Sequence, residues 1–211
     1  MTSSAAKPTR SARKAKGHGH LRRAEILQAA EGIFLREGYQ GATIRKIAEE
    51  VGVSSTALYM HFTDKDEMLL EIADNAVSPL HEICLEIAKR PLEPDARLRL
   101  MLEAYMRFGL ENPNAYRLVY GSGFGPLPPA RQERVNQISS RCYGLFVDAA
   151  AEMAEAGRLQ VESAKLAVHV LWSSCHGAVM LRLGRTDLDW EADQMLTAAV
   201  LDSVLCGLLK A

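Results

Sequence analysis

Apolar residues recur at helical spacing through almost the whole of this 211-residue chain, and no segment shows the strict alternation typical of a β-strand. Between Leu21 and Gly38 the apolar positions fall on one face of a helix: Ile26, Leu27, Ala30, Ile33 and Phe34. Glycines, prolines and capping residues divide the later chain into further segments of this kind. The sequence therefore predicts an all-α fold of about nine helices.

The predicted helices form two groups that differ in length. Three short helices are expected within residues 18–65, where Gly38 closes the first, Thr43 is placed to cap the second and Gly52 separates the second from the third. Residues 66–211 are expected to form a larger helical body. Its last predicted helices span residues 130–156, 163–183 and 190–209.

Charge is distributed unevenly between these parts. Residues 1–17 carry five Lys and Arg and no Asp or Glu, which predicts a disordered basic arm. Residues 1–65 hold 11 Lys and Arg against 6 Asp and Glu, whereas residues 66–211 hold 14 against 20. This asymmetry indicates that the front of the chain contacts a polyanion; a solvated basic tail is the alternative.

The stretch GVSSTALYMHF, residues 52–62, places small and hydroxyl-bearing residues at the start of a predicted helix and larger ones behind them. A helix that enters the DNA major groove needs small polar residues at its N-terminal end, so that its backbone can approach base edges. Tyr59 and His61 can donate hydrogen bonds to phosphates, while Leu58 and Phe62 face back and anchor the helix. The residues expected near the bases are Ser54, Ser55, Thr56 and Ala57.

Three further residues are placed for DNA binding. Thr43 and Lys65 each lie at a predicted helix N-terminus, where phosphate is favoured. Arg45 lies in the first turn of its helix and could reach the DNA backbone or a base. The alternative for the whole block is a small helical hairpin in which Tyr59 and His61 are half-buried for structural reasons alone.

The segment TIRKIAEEVGVSSTALYMHFTDKDEMLLEIAD resembles the DNA-binding segment of the tetracycline-repressor (TetR) family, and LYMHFTDKDEMLL is its most diagnostic part. The resemblance covers residues 21–73. It implies that the small-residue helix reads an operator and that the protein acts as a homodimer. It also implies that the helical body binds a small effector and the other subunit.

A second resemblance lies in the body. LWSSCHGAVMLRL, residues 171–183, resembles the W-x-x-x-H-G signature of one TetR subgroup through Trp172, His176 and Gly177, and ENPNAYRLVYG, residues 111–121, also fits that subgroup. The resemblance places the last two helices as the dimerising pair.

Methionine and aromatic side chains scattered over the body are suited to an adaptable apolar cavity. We expect an effector pocket lined by Trp172 and His176, which lie one turn apart on a helix. The other residues expected to line it are Met101, Met106, Tyr116, Phe124, Tyr143 and Phe146. Ordinary core or interface packing is the alternative for each of them.

The last predicted helix is apolar on more than one face. One face holds Leu201, Leu205 and Leu209, and the other holds Leu196, Val200, Val204 and Leu208. A helix that is apolar almost all round must be buried on both sides, so we expect a partner subunit to cover the second set. Full burial within one chain is the alternative.

The motifs of enzymes and metal sites are missing from the sequence. It contains no H-E-x-x-H, and the Gly-rich GSGFG lacks the strand–turn–helix context of a phosphate loop or a nucleophile elbow. We therefore expect no catalysis, no cofactor and no metal. The N-terminus lacks the apolar core of a signal peptide and the apolar runs are short for a membrane span, which predicts a cytoplasmic protein without membrane contact. The four cysteines are expected to be buried free thiols.

Together these features favour a homodimeric transcriptional repressor of near-palindromic operator DNA. A small, mostly apolar effector would release it, and control of an efflux system is one candidate role. The rival hypotheses are a constitutive DNA-binding regulator without a ligand, and a helical small-molecule carrier or enzyme whose front is only an interaction domain.

Overall fold

The computed structural model describes residues 19–121 and 127–210, and every regular element within those ranges is a helix. The predicted all-α fold is confirmed. The helices are α1 (Gly19–Gly41), α2 (Ile44–Val51), α3 (Ser55–Tyr59), α4 (Lys65–Ala88), α5 (Pro94–Glu111), α6 (Pro113–Tyr120), α7 (Pro129–Ser139), α8 (Arg141–Glu155), α9 (Ala164–Gly184) and α10 (Asp193–Leu208).

These described ranges contain ten helices, compared with the predicted number of about nine. The single helix predicted over residues 130–156 is divided at Ser140 into α7 and α8. The hydroxyls of Ser139 and Ser140 donate to the backbone carbonyls of Asn136 (3.0 Å) and Gln137 (3.4 Å). Such side-chain bonds compete with the helical hydrogen-bond pattern, which accounts for a break without Gly or Pro.

Two large hydrophobic cores organise the described residues, and a small third cluster joins Ala73 and Val77 of α4 to Val119 of α6 and Ile138 of α7. The first, which we call the head, joins α1, α2 and α3 to the first turns of α4. Its fully buried large side chains include Ile26, Ile33, Phe34, Ile47, Leu58, Phe62, Met68 and Leu69. The second, which we call the body, is formed by the rest of α4 with α5, α6, α8, α9 and α10. Leu118 of α6 is completely buried in the head core, so a body helix also packs against the head.

Helix α4 contributes to both cores without interruption. Its first half supplies Met68, Leu69 and Ile72 to the head, and its second half supplies Leu80, Cys84 and Ile87 to the body. The proposed boundary between residues 65 and 66 falls in the first turn of this helix. The predicted arm, residues 1–17, lies outside the described residues.

The expectation of buried cysteines holds for three of the four. Cys84, Cys142 and Cys175 are buried free thiols, whereas Cys206 is exposed on α10, where the prediction was wrong.

Candidate nucleic-acid interface and effector site

Residues 43–62 fold as two short helices joined by a tight turn. Helix α2 begins after Thr43, whose hydroxyl accepts a backbone N–H of the first turn at 3.2 Å. It ends at Gly52, which has φ 73° and ψ 37°. Glycine adopts this left-handed conformation readily, so Gly52 lets the chain turn directly into α3. Helix α3 begins after Ser54, whose Oγ accepts the N–H of Ala57 at 3.1 Å.

The outer face of α3 is open to solvent. Thr56 is exposed, as are Tyr59 (55%) and Met60 (83%), while Leu58 and Phe62 are buried in the head core. The structure thus places the predicted anchors and the predicted outward residues Thr56 and Tyr59 on opposite sides of this segment. Met60 was not among the predicted DNA contacts, although its place directly after Tyr59 could have indicated that it lies on the same surface. An exposed thioether among hydroxyls suits contact with thymine methyl groups.

The side chains of other residues predicted to contact DNA are already hydrogen-bonded or half-buried. The hydroxyls of Thr43 and Ser54 already accept hydrogen bonds as helix caps. Ser55, Ala57 and His61 are half-buried. These residues can reach DNA through their backbone or through a change of side-chain partner.

The two predicted cations differ in position. The Lys65 ammonium points inward: it donates to the carbonyls of Tyr39 (2.7 Å) and Ala42 (3.2 Å) and lies 4.0 Å from the centre of the Tyr39 ring. Burial lowers the pKa of Lys65. This position does not favour the predicted phosphate contact by its side chain. The Arg45 side chain is 82% exposed and pairs with Glu49 at 3.2 Å, so it remains available to DNA.

A second constellation lies in the body. Six rings from four helices pack within 5.1 to 6.5 Å of a neighbour, and we call them the aromatic cluster: Tyr105, Tyr116, Tyr120, Phe146, Trp172 and His176. The hydroxyls of Tyr105 and Tyr116 are 2.8 Å apart. Nδ1 of His176 lies 2.8 Å from the Tyr116 hydroxyl and 3.3 Å from that of Tyr105.

The electrostatics of this network favour neutral groups. Burial lowers the pKa of His176, so its imidazole is neutral near pH 7. Burial also raises the pKa of Tyr105 and Tyr116, so both hydroxyls keep their protons. The network is therefore an uncharged set of donors and acceptors inside an apolar core. It can bind the polar end of a mostly apolar molecule, or its members can serve only as hydrogen-bond partners for one another.

The structure brings most of the predicted pocket residues together. Tyr116, Phe146, Trp172 and His176 lie in the aromatic cluster, and the Tyr143 ring is 5.9 Å from that of Trp172. Met101 and Met106 are fully buried in the same body core. Phe124 lies outside the described residues.

Sequence reasoning missed Tyr105 and Tyr120. Tyr120 follows Tyr116 by one helical turn on α6, a spacing that could have revealed it. Tyr105 carried no such signal, because its partners Tyr116 and His176 are 11 and 71 residues away.

Two cavities of about 500 Å³ in the described part of the chain lie away from the aromatic cluster. One opens between α1, α4 and the start of α6, beside Leu27, Glu31 and Asn75. The other lies between α5 and α10, beside Arg107 and Thr197. Neither cavity is lined by Trp172 or His176, so the effector pocket expected around these two residues stays a prediction.

A head with two short helices joined at a left-handed glycine, set on a helical body, defines the class of helix-turn-helix DNA-binding regulators. Comparison with known families is more specific. Residues 26–72 match the family of bacterial regulatory proteins of the tetR type, and residues 98–204 match the tetracyclin repressor-like C-terminal domain. The chain belongs to the TetR family of transcriptional regulators. The W-x-x-x-H-G subgroup stays a prediction.

Relatives in sequence include nucleoid occlusion factors. The chain is 35% identical over 124 residues to the nucleoid occlusion factor SlmA of Photobacterium profundum, covering 57% of this chain and 62% of that protein, less than two thirds of its length. Its similarity to SlmA of Cronobacter sakazakii is longer, 32% over 192 residues, covering 85% of this chain and 94% of that one. The repressor AcnR of Corynebacterium diphtheriae is 39% identical over 66 residues, covering 31% and 35% of the two chains.

Solved structures share the whole fold. The ketosteroid regulator KstR2 of Mycobacterium tuberculosis superposes with a TM-score of 0.71 at 25% identity, covering 90% of this chain and 96% of that one. FadR of Bacillus subtilis, solved in complex with stearoyl-CoA, gives 0.70 at 18% identity, covering 87% and 98%. At this identity the FadR likeness concerns the fold alone.

Proposed function

We propose that the protein is a homodimeric transcriptional repressor that reads a near-palindromic operator with α3 and is released by a small, mostly apolar effector. The observation that carries the proposal is the open face of α3, where Thr56, Tyr59 and Met60 are exposed behind a capped N-terminus. Two such helices in a dimer would enter successive major grooves about 34–36 Å apart.

Support for a dimer comes from the outer faces of α9 and α10. Leu166, Val170 and Leu181 share one face of α9 and are 45%, 37% and 57% exposed, and Met195 of α10 is 60% exposed. Helix α9 is long and apolar enough to cross a membrane by length and composition alone. Only 28% of its apolar window is buried within the single chain, so most of it needs a further covering. A partner subunit would cover this surface.

The same face of α9 is suited to close contact with another helix. The hydroxyls of Ser173 and Ser174 donate to carbonyls of their own helix, at 2.6 and 2.8 Å, and so need no water when covered. A Cβ at Gly177 would meet nothing within 4 Å, so this glycine is not required by packing within the chain. The face predicted from sequence is different: Val204 packs partly, and Leu208 fully, against the chain's own core.

The aromatic cluster supports an effector that is apolar with one polar group. Its network offers hydroxyls and a neutral imidazole within an apolar core. The ketosteroid regulator KstR2 and the complex of FadR with stearoyl-CoA, whose acyl chain is long and apolar, support an effector with a large apolar part. Binding would require the cluster to open, and the cost of opening would lower the apparent affinity.

A second candidate is a DNA-binding regulator without an effector. The close mutual packing of the aromatic cluster favours it, because the hydroxyls and His176 already satisfy one another. In that case no ligand would change the affinity for DNA.

Selection of duplexes from a random library by the wild-type protein tests the proposed reading, and two variants test its orientation. Tyr59→Phe should weaken binding to the selected operator and to unrelated DNA alike, because a phosphate contact carries no sequence information. Thr56→Val should instead change base preference, at about 1–3 kcal/mol for a disturbed base contact. Fluorescence anisotropy on the operator, on single-base variants and on unrelated DNA measures both effects. The reverse pattern in the two variants would reject this orientation.

The effector site has a test with a matched control. Tyr116→Phe removes the hydroxyl that contacts both Tyr105 and His176, whereas Tyr120→Phe removes one whose partner among the described residues is the carbonyl of Ser139. Stearoyl-CoA and a ketosteroid are the first ligands to assay for operator release. Tyr116→Phe should raise the effector concentration needed for half-release by about fivefold or more at unchanged operator affinity, since a buried hydrogen bond is worth about 1 kcal/mol or more. Equal responses in both variants would remove the network from the site.

A further inference from the structure

Arg23 of α1 lies at the junction of three segments of the head. Its Nε donates to both carboxylate oxygens of Glu71, at 3.0 and 3.1 Å, and its Nη2 donates to Glu67 at 2.8 Å and also to Glu71. Its Nη1 donates to the backbone carbonyl of His61, just after α3. The guanidinium carbon lies 4.0 Å from the centre of the Phe62 ring.

Helix α3 depends on such outside contacts for its orientation. It has five residues, far fewer than the roughly 12–15 that an isolated helix needs to be even marginally stable in water. Ser54 fixes its start by capping the N–H of Ala57. At its other end, the carbonyl of His61 is held by Arg23.

The same guanidinium is fixed to α4. Glu67 and Glu71 are one helical turn apart, so both carboxylates face Arg23. Glu67 also accepts the backbone N–H of Thr63 at 2.7 Å and its hydroxyl at 2.9 Å, which ties down the chain between α3 and α4. The planar fork of arginine presents five donors in fixed directions, which suits two carboxylates and a carbonyl at once; a lysine ammonium keeps the charge and loses this geometry.

We infer that Arg23 is a positioning residue for DNA reading: its guanidinium fixes the end of α3 to the first turns of α4 and does not itself contact DNA. The inference rests on the proposed role of α3 as the reading helix. It assigns a function in DNA binding to a residue of α1, which lies outside the two short helices and the turn of residues 43–62.

Two pairs of variants separate positioning from charge. Arg23→Gln and Arg22→Gln remove the same charge from neighbouring positions, but within the described part of the chain Arg22 pairs with Glu25 of its own helix, at 2.5 Å. Glu71→Gln and Glu25→Gln each remove a negative charge. Electrostatics alone predicts that losing a carboxylate strengthens binding to a polyanion. Positioning predicts that Glu71→Gln weakens binding and Glu25→Gln does not.

The assay is anisotropy on the duplex selected by the wild-type protein, over a series of salt concentrations. Arg23→Gln and Glu71→Gln should each lower affinity by about tenfold or more, since hydrogen bonds to charged groups are lost. Arg22→Gln should stay within about threefold of wild type, as expected for an exposed pair. The salt slope of Arg23→Gln should equal that of wild type. A slope smaller by about 0.9 would mean a direct phosphate contact and would overturn the inference.

Stability is measured alongside by circular dichroism. If Arg23→Gln does not fold, Glu71→Gln and Arg23→Lys carry the test, because both keep the size of the side chain, and both should weaken binding. Arg23 or Glu71 variants that bind as well as the Arg22 and Glu25 controls would overturn the inference while leaving operator reading intact. A wild-type protein that selects no sequence would instead overturn the proposed function.

Discussion

Replacement of Leu181 by aspartate is expected to convert the dimer into a monomer and to abolish operator binding. Leu181 is 57% exposed in the single chain and lies on the α9 face that we assign to the partner. In the dimer the new carboxylate would be desolvated without a counter-charge, which costs several kcal/mol, about 3–5 by analogy with broken buried pairs. Since a specific complex needs both half-sites, a monomer should bind DNA only weakly.

Leu92→Asp provides the matched control. Leu92 is also an exposed leucine (42%), but it lies in the turn between α4 and α5 and not on the α9 face that we assign to the partner. Multi-angle light scattering should give a monomer mass for Leu181→Asp and a dimer mass for Leu92→Asp, with operator binding only in the latter. A dimeric, operator-binding Leu181→Asp protein would show that the two subunits meet elsewhere.

Replacement of Gly109 by alanine is expected to destabilise the body by about 1–3 kcal/mol, the usual cost of overpacking a core. Gly109 is buried on α5, and a Cβ there would lie 2.7 Å from Val179 Cγ1 and 2.8 and 2.9 Å from two ring carbons of Tyr116. Neither neighbour can move away freely, because Val179 is fully buried and Tyr116 is hydrogen-bonded to Tyr105 and His176.

Gly144→Ala is the control for this second prediction. A Cβ at Gly144 of α8 would meet nothing within 4 Å, so alanine should stabilise that helix by up to about 1 kcal/mol. Urea denaturation followed by circular dichroism gives both free energies of unfolding. Equal or opposite effects would mean that the contact between α5, α6 and α9 is looser than these distances indicate.

The head could be predicted from sequence because its signals are local. Thr43, Gly52 and Ser54 each act on backbone groups within a few residues, and the structure places Thr43 and Gly52 at helix ends as expected. Capping and left-handed glycines depend on short-range geometry, which the order of residues already contains.

What sequence could not predict depends on partners far along the chain. Arg23 contacts residues 38 to 48 positions away, and no periodicity marks such contacts. The position of Lys65 at a helix N-terminus predicts a phosphate contact, but its ammonium donates to the carbonyls of Tyr39 and Ala42, which are 26 and 23 residues away. The outward face of α9 could not be assigned from sequence, because the helix is apolar on several sides and only the fold shows which side packs in the core.

The continuous course of α4 through both cores restricts how this protein can be recombined with its relatives. Met68 and Leu69 pack with the head, whereas Cys84 and Ile87 pack with the body, on one uninterrupted helix. A chimaera joined at residue 65 would give the foreign head a helix selected to pack against another core. A junction between Ile72 and Ala73 would keep the head residues of α4 with the head, and Ala73 and Val77 with Val119 and Ile138. The helical register must be preserved, because an error of one residue turns the helix by about 100°. Exchange of operator specificity in this fold therefore calls for a splice inside a helix, where protein engineers usually avoid one.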